Sequence, residues 1–154
     1  MKNIETEYVK IDNEKFFEVI KTLLDNEKFV RIAVRGGSMY PFLRNLTDSV
    51  ELHKAEYENI KNFDIVLVQK DSAYILHRVF KKSKKKFFML GDGNTEYDGP
   101  YTKDDFICKA VYIYRKNKKL PCDLWYLKSL AVLWYLIKPL RKVIIYLYMK
   151  MRAV

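Results

Sequence analysis

A change of hydrophobic period near residue 30 is the feature that most limits how this chain can fold. Residues 14–29 carry apolar side chains at helical spacing. From residue 30 onward, apolar and polar residues alternate in short runs that turn residues separate. These runs are rich in β-branched and aromatic residues and lie at 30–34, 48–54, 64–70, 73–80, 86–90 and 106–116. The pattern predicts a helix followed by a mainly β domain.

The chain has 154 residues, which is enough for one domain with its own core. We expect an N-terminal helical segment over 1–29, a β domain over 30–119 and a basic helical tail over 120–154. Cys108 and Cys122 do not make a disulfide framework, and whether they form a bridge stays open. Two histidines and two cysteines at these positions match no zinc spacing, and no phosphate-binding glycine loop occurs. We therefore expect no metal and no cofactor.

The tail combines basic charge with apolar side chains. Residues 124–154 contain six basic residues and no acidic one. Four of the lysines fall in a sector about 120° wide on one continuous helix: Lys128, Lys138, Lys142 and Lys150. This pattern is typical of a helix in a membrane interface, with its basic face toward anionic headgroups. Pro139 is expected to split this helix into two, which would disturb the phase of the basic sector. The alternative is a C-terminal helical hairpin packed on the domain's own sheet.

The net charge of +10 predicts an anionic partner. Because the basic residues of the tail accompany a large apolar surface, we expect that partner to be an anionic membrane surface and not nucleic acid. The N-terminus shows no signal peptide, and no uninterrupted apolar stretch is long enough for a simple span. We therefore expect peripheral or interfacial membrane association. The basic tail favours the cytoplasmic leaflet, and the side of the membrane stays open.

One serine and one histidine occur in surroundings that indicate nucleophilic catalysis. Residues 36–41 read GGSMYP around Ser38, and residues 76–79 read LHRV around His77. A serine hydroxyl needs a base that removes its proton as it attacks, and a neutral imidazole suits that task near pH 7. We therefore take Ser38 as the candidate nucleophile and His77 as the candidate general base. His53, the other histidine, has no motif around it.

These motifs resemble those of signal peptidases, in the variant that uses histidine where most bacterial enzymes use lysine. The resemblance covers roughly residues 30–116 and includes FDIV at 63–66 and GDGN at 91–94. It implies a signal-peptidase- or repressor-peptidase-like fold: a mainly β, twisted, β-barrel-like domain with an N-terminal helix and a C-terminal amphipathic helical tail. It also implies a serine endopeptidase that removes a leader or signal segment from a polypeptide substrate. We expect a small form without the N-terminal membrane anchor.

The resemblance also implies which carboxylate supports the histidine. Asp98, which trails the motif at 91–94, would orient His77 and stabilise its imidazolium form. Asp92, within the motif, is the second candidate. Both aspartates also fit ordinary turn chemistry.

The segment around the nucleophile would bind the substrate and the oxyanion. Gly36 and Gly37 would let the substrate backbone approach, Met39 belongs to the same segment, and the N–H of Ser38 would be one oxyanion-hole donor. Many signal peptidases carry a serine where Gly36 stands, and its hydroxyl completes the oxyanion hole. This chain must therefore take its second donor from the backbone or from water.

Two other functions stay open. Self-cleaving repressor-type regulators share a Gly-x-Ser-Met segment. However, no Ala-Gly or Cys-Gly bond precedes Ser38, too few residues precede it for a DNA-binding domain, and such regulators use lysine as the base. A catalytically inactive peptidase fold that acts as a binding module is the other alternative, and the glycine at position 36 favours it.

Overall fold

The computed structural model describes residues 13–71, 73–116 and 118–152. Within these residues the chain is mainly β, as predicted: eight strands form one antiparallel sheet, accompanied by three α-helices. In chain order the elements are α1 (Asn13–Asp25), β1 (Val30–Ala33), β2 (Asp48–His53), β3 (Ile65–Lys70), β4 (Ala73–Lys82), β5 (Phe87–Leu90), β6 (Asp98–Tyr101), β7 (Phe106–Arg115), β8 (Lys118–Pro121), α2 (Trp125–Leu136) and α3 (Arg141–Arg152).

The sheet is not closed into a barrel, so the barrel-like part of the prediction is not confirmed. The strand order is β1-β2-β7-β3-β4-β5-β6, with β8 paired to β7. β1 and β6 therefore lie at opposite ends of the sheet. Nevertheless the N–H of Gly93, shortly before β6, donates a hydrogen bond of 2.7 Å to the carbonyl of Ser38, shortly after β1. The sheet thus curls until the loops at its two ends meet.

Two hydrophobic clusters cover the two faces of the sheet. Ile65 and Leu67 of β3 pack in the cluster that also contains Ile20 and Leu24 of α1. The alternate β3 residues, Val66 and Val68, pack in a second cluster with side chains of β4 and β5. Because successive side chains of a strand point to opposite faces, β3 is buried on both sides. The described part of the N-terminal helical segment therefore shares the core of the β domain, and residues 1–12 lie outside the described residues.

The six strands that alternation predicts correspond to β1–β5 and β7, with ends that differ by two residues or fewer. The pattern missed β6 and β8. β6 contains Gly99 and Pro100, which are turn residues by composition, and β8 is a short edge strand that ends at a proline. The β domain therefore extends to Pro121, two residues beyond the predicted boundary. The predicted helix over 14–29 ends earlier, at Asp25.

The tail is not one continuous helix. A 3-10 turn over Lys138–Leu140, with Pro139 inside it, separates α2 from α3. The split at Pro139 that the sequence predicts is therefore confirmed, and the single basic sector, which requires an unbroken helix, does not form. Moreover α2 docks on the domain: Lys128 Nζ lies 2.7 Å from Asp64 Oδ1. None of the described helices is both long and apolar enough to cross a bilayer.

Candidate active site

The turn that carries Ser38 is held at both of its ends. Val34 donates from its N–H to the carbonyl of Asp48 over 3.0 Å, which ties the end of β1 to the start of β2. Inside the loop, the N–H of Gly36 donates to Asn45 Oδ1 over 3.0 Å. These bonds fold residues 34–48 back on themselves, and Ser38 lies half-buried in the loop.

An ion pair with a buried carboxylate and a partly exposed guanidinium anchors the same loop to the middle of the sheet. The Asp48 carboxylate, 2% exposed, accepts from Arg115 Nη2 over 2.7 Å and from the N–H of Arg44 over 2.9 Å. Arg115 Nη2 also donates to the carbonyl of Phe42 over 2.6 Å. Removing one partner of such a pair leaves a buried charge without compensation, which typically costs 3–5 kcal/mol. The position of Ser38 therefore depends on β7 as well as on β1.

Two glycines let the 91–94 loop pack directly on the Ser38 turn. A Cβ atom on Gly91 would lie 2.5 Å from the carbonyl oxygen of Ser38, and one on Gly93 would lie 2.8 Å from that of Gly37. Neither separation is tolerable for a side chain, so both positions require glycine. Sequence reasoning used this motif only for Asp92 and missed the two glycines. Their Gly-x-Gly spacing was the signal that could have found them.

Asp98 lies against His77. The Nδ1 atom of His77 is 2.5 Å from Asp98 Oδ2, and the two side chains are 8% and 29% exposed. Because a carboxylate only accepts, Nδ1 carries the proton of the neutral ring and Nε2 is the nitrogen with a free lone pair. This is the orientation that a general base needs.

Strand register relates His77 to the loop that contacts Ser38. Arg78 pairs with Leu90 across β4 and β5, and His77 and Gly91 are the residues that follow this pair along the two antiparallel segments. Gly91 in turn is in close contact with the carbonyl of Ser38. Among the described residues no hydrogen bond joins the Ser38 hydroxyl to His77. In free enzymes such bonds are often long and tighten only when substrate binds.

Asp92 has a different partner. Its two carboxylate oxygens accept from Arg78 Nε over 2.9 Å and from Arg78 Nη2 over 2.8 Å. The two side chains are buried, and Arg78 Nη1 also donates to the carbonyl of Phe63. Burial acts to lower the pKa of Arg78, but the neighbouring Asp92 carboxylate outweighs it and the pKa is raised. Asp92 thus holds its loop to β4 instead of contacting His77.

The other predicted site residues divide into exposed and buried positions. Gly36 and Gly37 are exposed, and a Cβ on either would meet no atom within 4 Å. Gly36 has a φ of +84°, a conformation in which an L side chain is strained. Met39, which the resemblance assigns to the substrate- and oxyanion-binding segment, is 2% exposed and packs in the core beneath the turn.

The tail contacts the same loop from the other side. Trp134 Nε1 donates to the carbonyl of Asp92 over 2.6 Å, and Arg141 Nη1 donates to the carbonyl of Asn94 over 3.1 Å. Arg141 also donates from Nε to the carbonyl of Trp134, and only 2% of its surface is exposed. Burial lowers the pKa of Arg141. Sequence reasoning placed Arg141 in the membrane-binding tail and missed this role.

A second cluster of charges joins the tail to the sheet. Asp64 immediately precedes β3. Its carboxylate accepts hydrogen bonds from Lys109 of β7 over 2.9 Å and from Lys128 of α2 over 2.7 Å. Burial acts to raise the pKa of Asp64, but the bonds from Lys128 and Lys109 outweigh it, so the pKa is lowered. Among the described residues no group of histidine, cysteine, aspartate and glutamate could hold a metal ion.

Comparison of the chain with protein-family models and with curated proteins gives no match. We therefore infer function from the geometry of Ser38, His77 and Asp98 and from the motifs around them.

Proposed function

We propose that this protein is a serine endopeptidase of the signal-peptidase type. The observation that carries the proposal is the 2.5 Å bond from His77 Nδ1 to Asp98, beside the glycine that contacts Ser38. A serine, a histidine and an aspartate are the parts of an acyl-transfer site, and the motifs around Ser38 and His77 support their assignment to one site. The GGSMYP, LHRV and GDGN motifs support the finer assignment to the signal-peptidase fold.

The reaction proceeds through an acyl-enzyme. Ser38 Oγ attacks the scissile carbonyl while His77 Nε2 takes the hydroxyl proton. His77 then gives that proton to the departing amine as the peptide bond breaks. Water attacks the ester with His77 again as base, and Ser38 is regenerated. Asp98 stabilises the imidazolium that forms in each step.

The oxyanion hole relies on backbone. The N–H of Ser38 is one donor, and the side chain at position 36 supplies none. The φ of +84° at Gly36 explains why a serine there would be strained in this loop. Loss of one oxyanion-hole donor costs about 3 kcal/mol of transition-state stabilisation in other serine peptidases. We therefore expect slow turnover unless a backbone N–H or a water molecule replaces the hydroxyl.

The substrate is an extended polypeptide. β1 is an end strand of the sheet, and the chain leads from it directly into the Ser38 turn. An extended segment that pairs with the free edge of β1 would run its backbone toward Ser38. Gly36 and Gly37 leave the approach to the hydroxyl open. A leader or signal segment, extended and with small side chains next to the cleaved bond, fits such a site.

A catalytically inactive binding module is the second candidate. It is favoured by the glycine at position 36 and by the lack of a hydrogen bond between the Ser38 hydroxyl and His77 among the described residues. The same extended segment would then bind beside β1 without being cleaved. Only the reactivity of Ser38 separates the two functions.

The experiment is active-site labelling of the full chain with a serine-reactive lipopeptide or β-lactam-type probe, read by mass spectrometry. We expect one adduct, on Ser38, that disappears in Ser38→Ala and falls strongly in His77→Ala. Ser129→Ala and His53→Ala are the matched controls, since Ser129 is exposed on α2 and His53 stacks on Phe29. An unlabelled wild-type chain that also cleaves no peptide would favour the inactive module.

A further inference from the structure

The C-terminal helices have their polar and apolar faces reversed relative to an ordinary surface helix. A surface helix normally turns its apolar stripe to the core and its charged residues to water. In α2 the face against the domain carries Lys128, Trp134 and Tyr135, and each of them hydrogen bonds to the sheet domain. In the next helix Arg141 does the same. These four side chains therefore direct their polar atoms inward.

The outward face of the same helices is apolar. Eleven of the 15 exposed large apolar side chains among the described residues lie between Trp125 and Leu147. Six of these are 57–77% exposed: Trp125, Leu133, Leu136, Leu140, Val143 and Tyr146. Soluble monomers rarely expose so concentrated an apolar surface, which indicates that something covers it.

The charges around this face select its partner. Residues 124–154 contain no acidic side chain. Lys142, Tyr146 and Lys150 form one row on α3 at a spacing of four residues, next to the row of Val143 and Leu147. Both lysines are exposed. A long lysine side chain beside an apolar row can extend along it and place its ammonium group at a lipid phosphate.

A second copy of the chain fits this face less well. It would bring the same lysine row against itself, in a molecule that already carries a net charge of +10. An anionic bilayer supplies both an apolar layer and a layer of negative charge at the depths that these two rows require.

We infer that the outward face of α2 and α3, from Trp125 to Lys150, is a docking surface for an anionic bilayer. Its apolar side chains enter the boundary between headgroups and acyl chains, and Lys142 and Lys150 contact lipid phosphates. Of the basic sector expected from the sequence, this assignment keeps Lys142 and Lys150, because Lys128 and Lys138 contact the domain. The inner face bonds to residues 92–94, so docking would hold this loop, which packs on the Ser38 turn, about one helix diameter, ~10 Å, from the lipid.

The test is co-sedimentation of the full chain with phosphatidylcholine vesicles that contain or lack phosphatidylglycerol. We expect binding to the anionic vesicles and weaker binding to the neutral ones. The combined change Leu133→Ser, Leu136→Ser and Leu140→Ser should lower the partition coefficient on the order of 100-fold, because three side chains lose their burial in lipid. Leu46→Ser is the matched control, since Leu46 is 62% exposed but lies outside the tail.

The lysines are tested in the same assay. Lys142→Gln with Lys150→Gln should lower binding to anionic vesicles about 10- to 30-fold. Each lysine near an anionic surface contributes about 1 kcal/mol to the binding free energy, and the double variant loses both contributions. Binding to neutral vesicles should be unaffected. Equal binding of the wild-type chain to both kinds of vesicle would overturn the anionic assignment.

Three other results would overturn the docking surface itself. They are a wild-type chain that stays in the supernatant, a triple variant that binds as well as wild type, and a Leu46→Ser variant that loses as much binding. Light scattering covers the second-copy alternative: a dimer that the triple change dissociates, without vesicle binding, would assign the face to self-association. If circular dichroism shows that the triple variant is unfolded, Val143→Ser with Leu147→Ser on α3 repeats the test, and unchanged binding there counts against the inference.

Discussion

At the scale of single residues, the two aspartates near His77 have separate tasks. Asp98 contacts the imidazole, and Asp92 neutralises Arg78 in a buried pair. In the proposed mechanism the first contact supports the chemistry of His77, whereas the second stabilises the fold. Substituting each aspartate by asparagine changes the charge and keeps the shape, so the two variants distinguish these tasks.

Asp98→Asn should lower kcat roughly 100-fold or more on a processed peptide, with a smaller change in KM. The amide cannot stabilise the imidazolium of His77, and it favours the wrong tautomer. Thermal stability should change little, because the Asp98 side chain is 29% exposed. Steady-state kinetics and a melting curve on the same preparation check this. Unchanged kcat would remove Asp98 from the mechanism.

Asp92→Asn should instead reduce the free energy of unfolding by about 3 kcal/mol, because it leaves the buried guanidinium of Arg78 without a counter-charge. Urea denaturation measures this loss. Any effect on kcat should follow from displacement of the 91–94 loop. If Asp92→Asn has wild-type stability but no activity, then Asp92 and not Asp98 supports His77.

The sequence predicted the identities of the candidate site residues better than it predicted their surroundings. GGSMYP and LHRV are contiguous, so Ser38 and His77 could be named from short motifs. The choice between Asp92 and Asp98 depends on which side of β4 each carboxylate reaches, and that follows from strand pairing. The need for glycine at position 91 depends on the close approach of Ser38, a contact between residues 53 positions apart (91 − 38).

At the scale of elements, the tail holds the 91–94 loop, which packs on the Ser38 turn, by hydrogen bonds to its backbone. Arg141 and Trp134 bond to the carbonyls of Asn94 and Asp92. A tail that served only to bind a membrane would be separable from the site, with the expectation that a chain truncated after Pro121 stays active. These bonds argue against that expectation, because truncation removes both donors from the 92–94 loop.

Arg141→Ala should increase hydrogen exchange in residues 91–97 and lower kcat on a soluble peptide by about 10-fold. The loop would lose a charge-assisted hydrogen bond of about 2 kcal/mol that holds its backbone. Lys142→Ala is the matched control, since it removes the same charge from the next residue, which is exposed. Exchange mass spectrometry reads the loop directly. If residues 91–97 are equally protected from exchange in the two variants, Arg141 does not hold this loop, whatever the activity of the variants.

The alternation of apolar and polar residues located β1–β5 and β7, because these strands bury at least one face and that face must be apolar. β6 and β8 show no such alternation. β6 is held by pairing with β5 and by the contact from Asp98 to His77, and β8 is held by pairing with β7. The reversed faces of α2 could not be predicted either, because a helix's periodicity does not say which face meets the domain.

At the scale of the whole molecule, Asp64 joins three parts of the fold. It immediately precedes β3, and its carboxylate accepts hydrogen bonds from Lys109 of β7 and from Lys128 of α2. The bonds from these two lysines lower its pKa against the opposing effect of burial. One carboxylate therefore links the centre of the sheet to the tail, and its ionisation affects how firmly the tail is attached.

This linkage predicts a pH-dependent contribution to stability whose sign is fixed. A carboxyl group with a lowered pKa in the folded state stabilises that state at pH values above its unfolded pKa of about 3.9, and the contribution disappears as pH falls through the folded pKa. Asp64→Asn should therefore lower the free energy of unfolding by about 2 kcal/mol at pH 7, where two charge-assisted hydrogen bonds are weakened. The difference between wild type and variant should shrink steadily below about pH 4.

Urea denaturation of both proteins across this pH range checks the prediction, with Asp25→Asn as the control. Asp25 pairs with Lys54 on the surface, where the side chains are 67% and 52% exposed. Asp25→Asn should therefore leave the free energy of unfolding unchanged throughout this pH range. Lys128→Met removes the bond between the tail and Asp64. It should abolish part of the pH-dependent difference, while the remainder belongs to Lys109. If the Asp64→Asn difference instead grows as the pH falls, the carboxyl is destabilised by burial more than its lysine partners stabilise it, and Asp64 is not what attaches the tail.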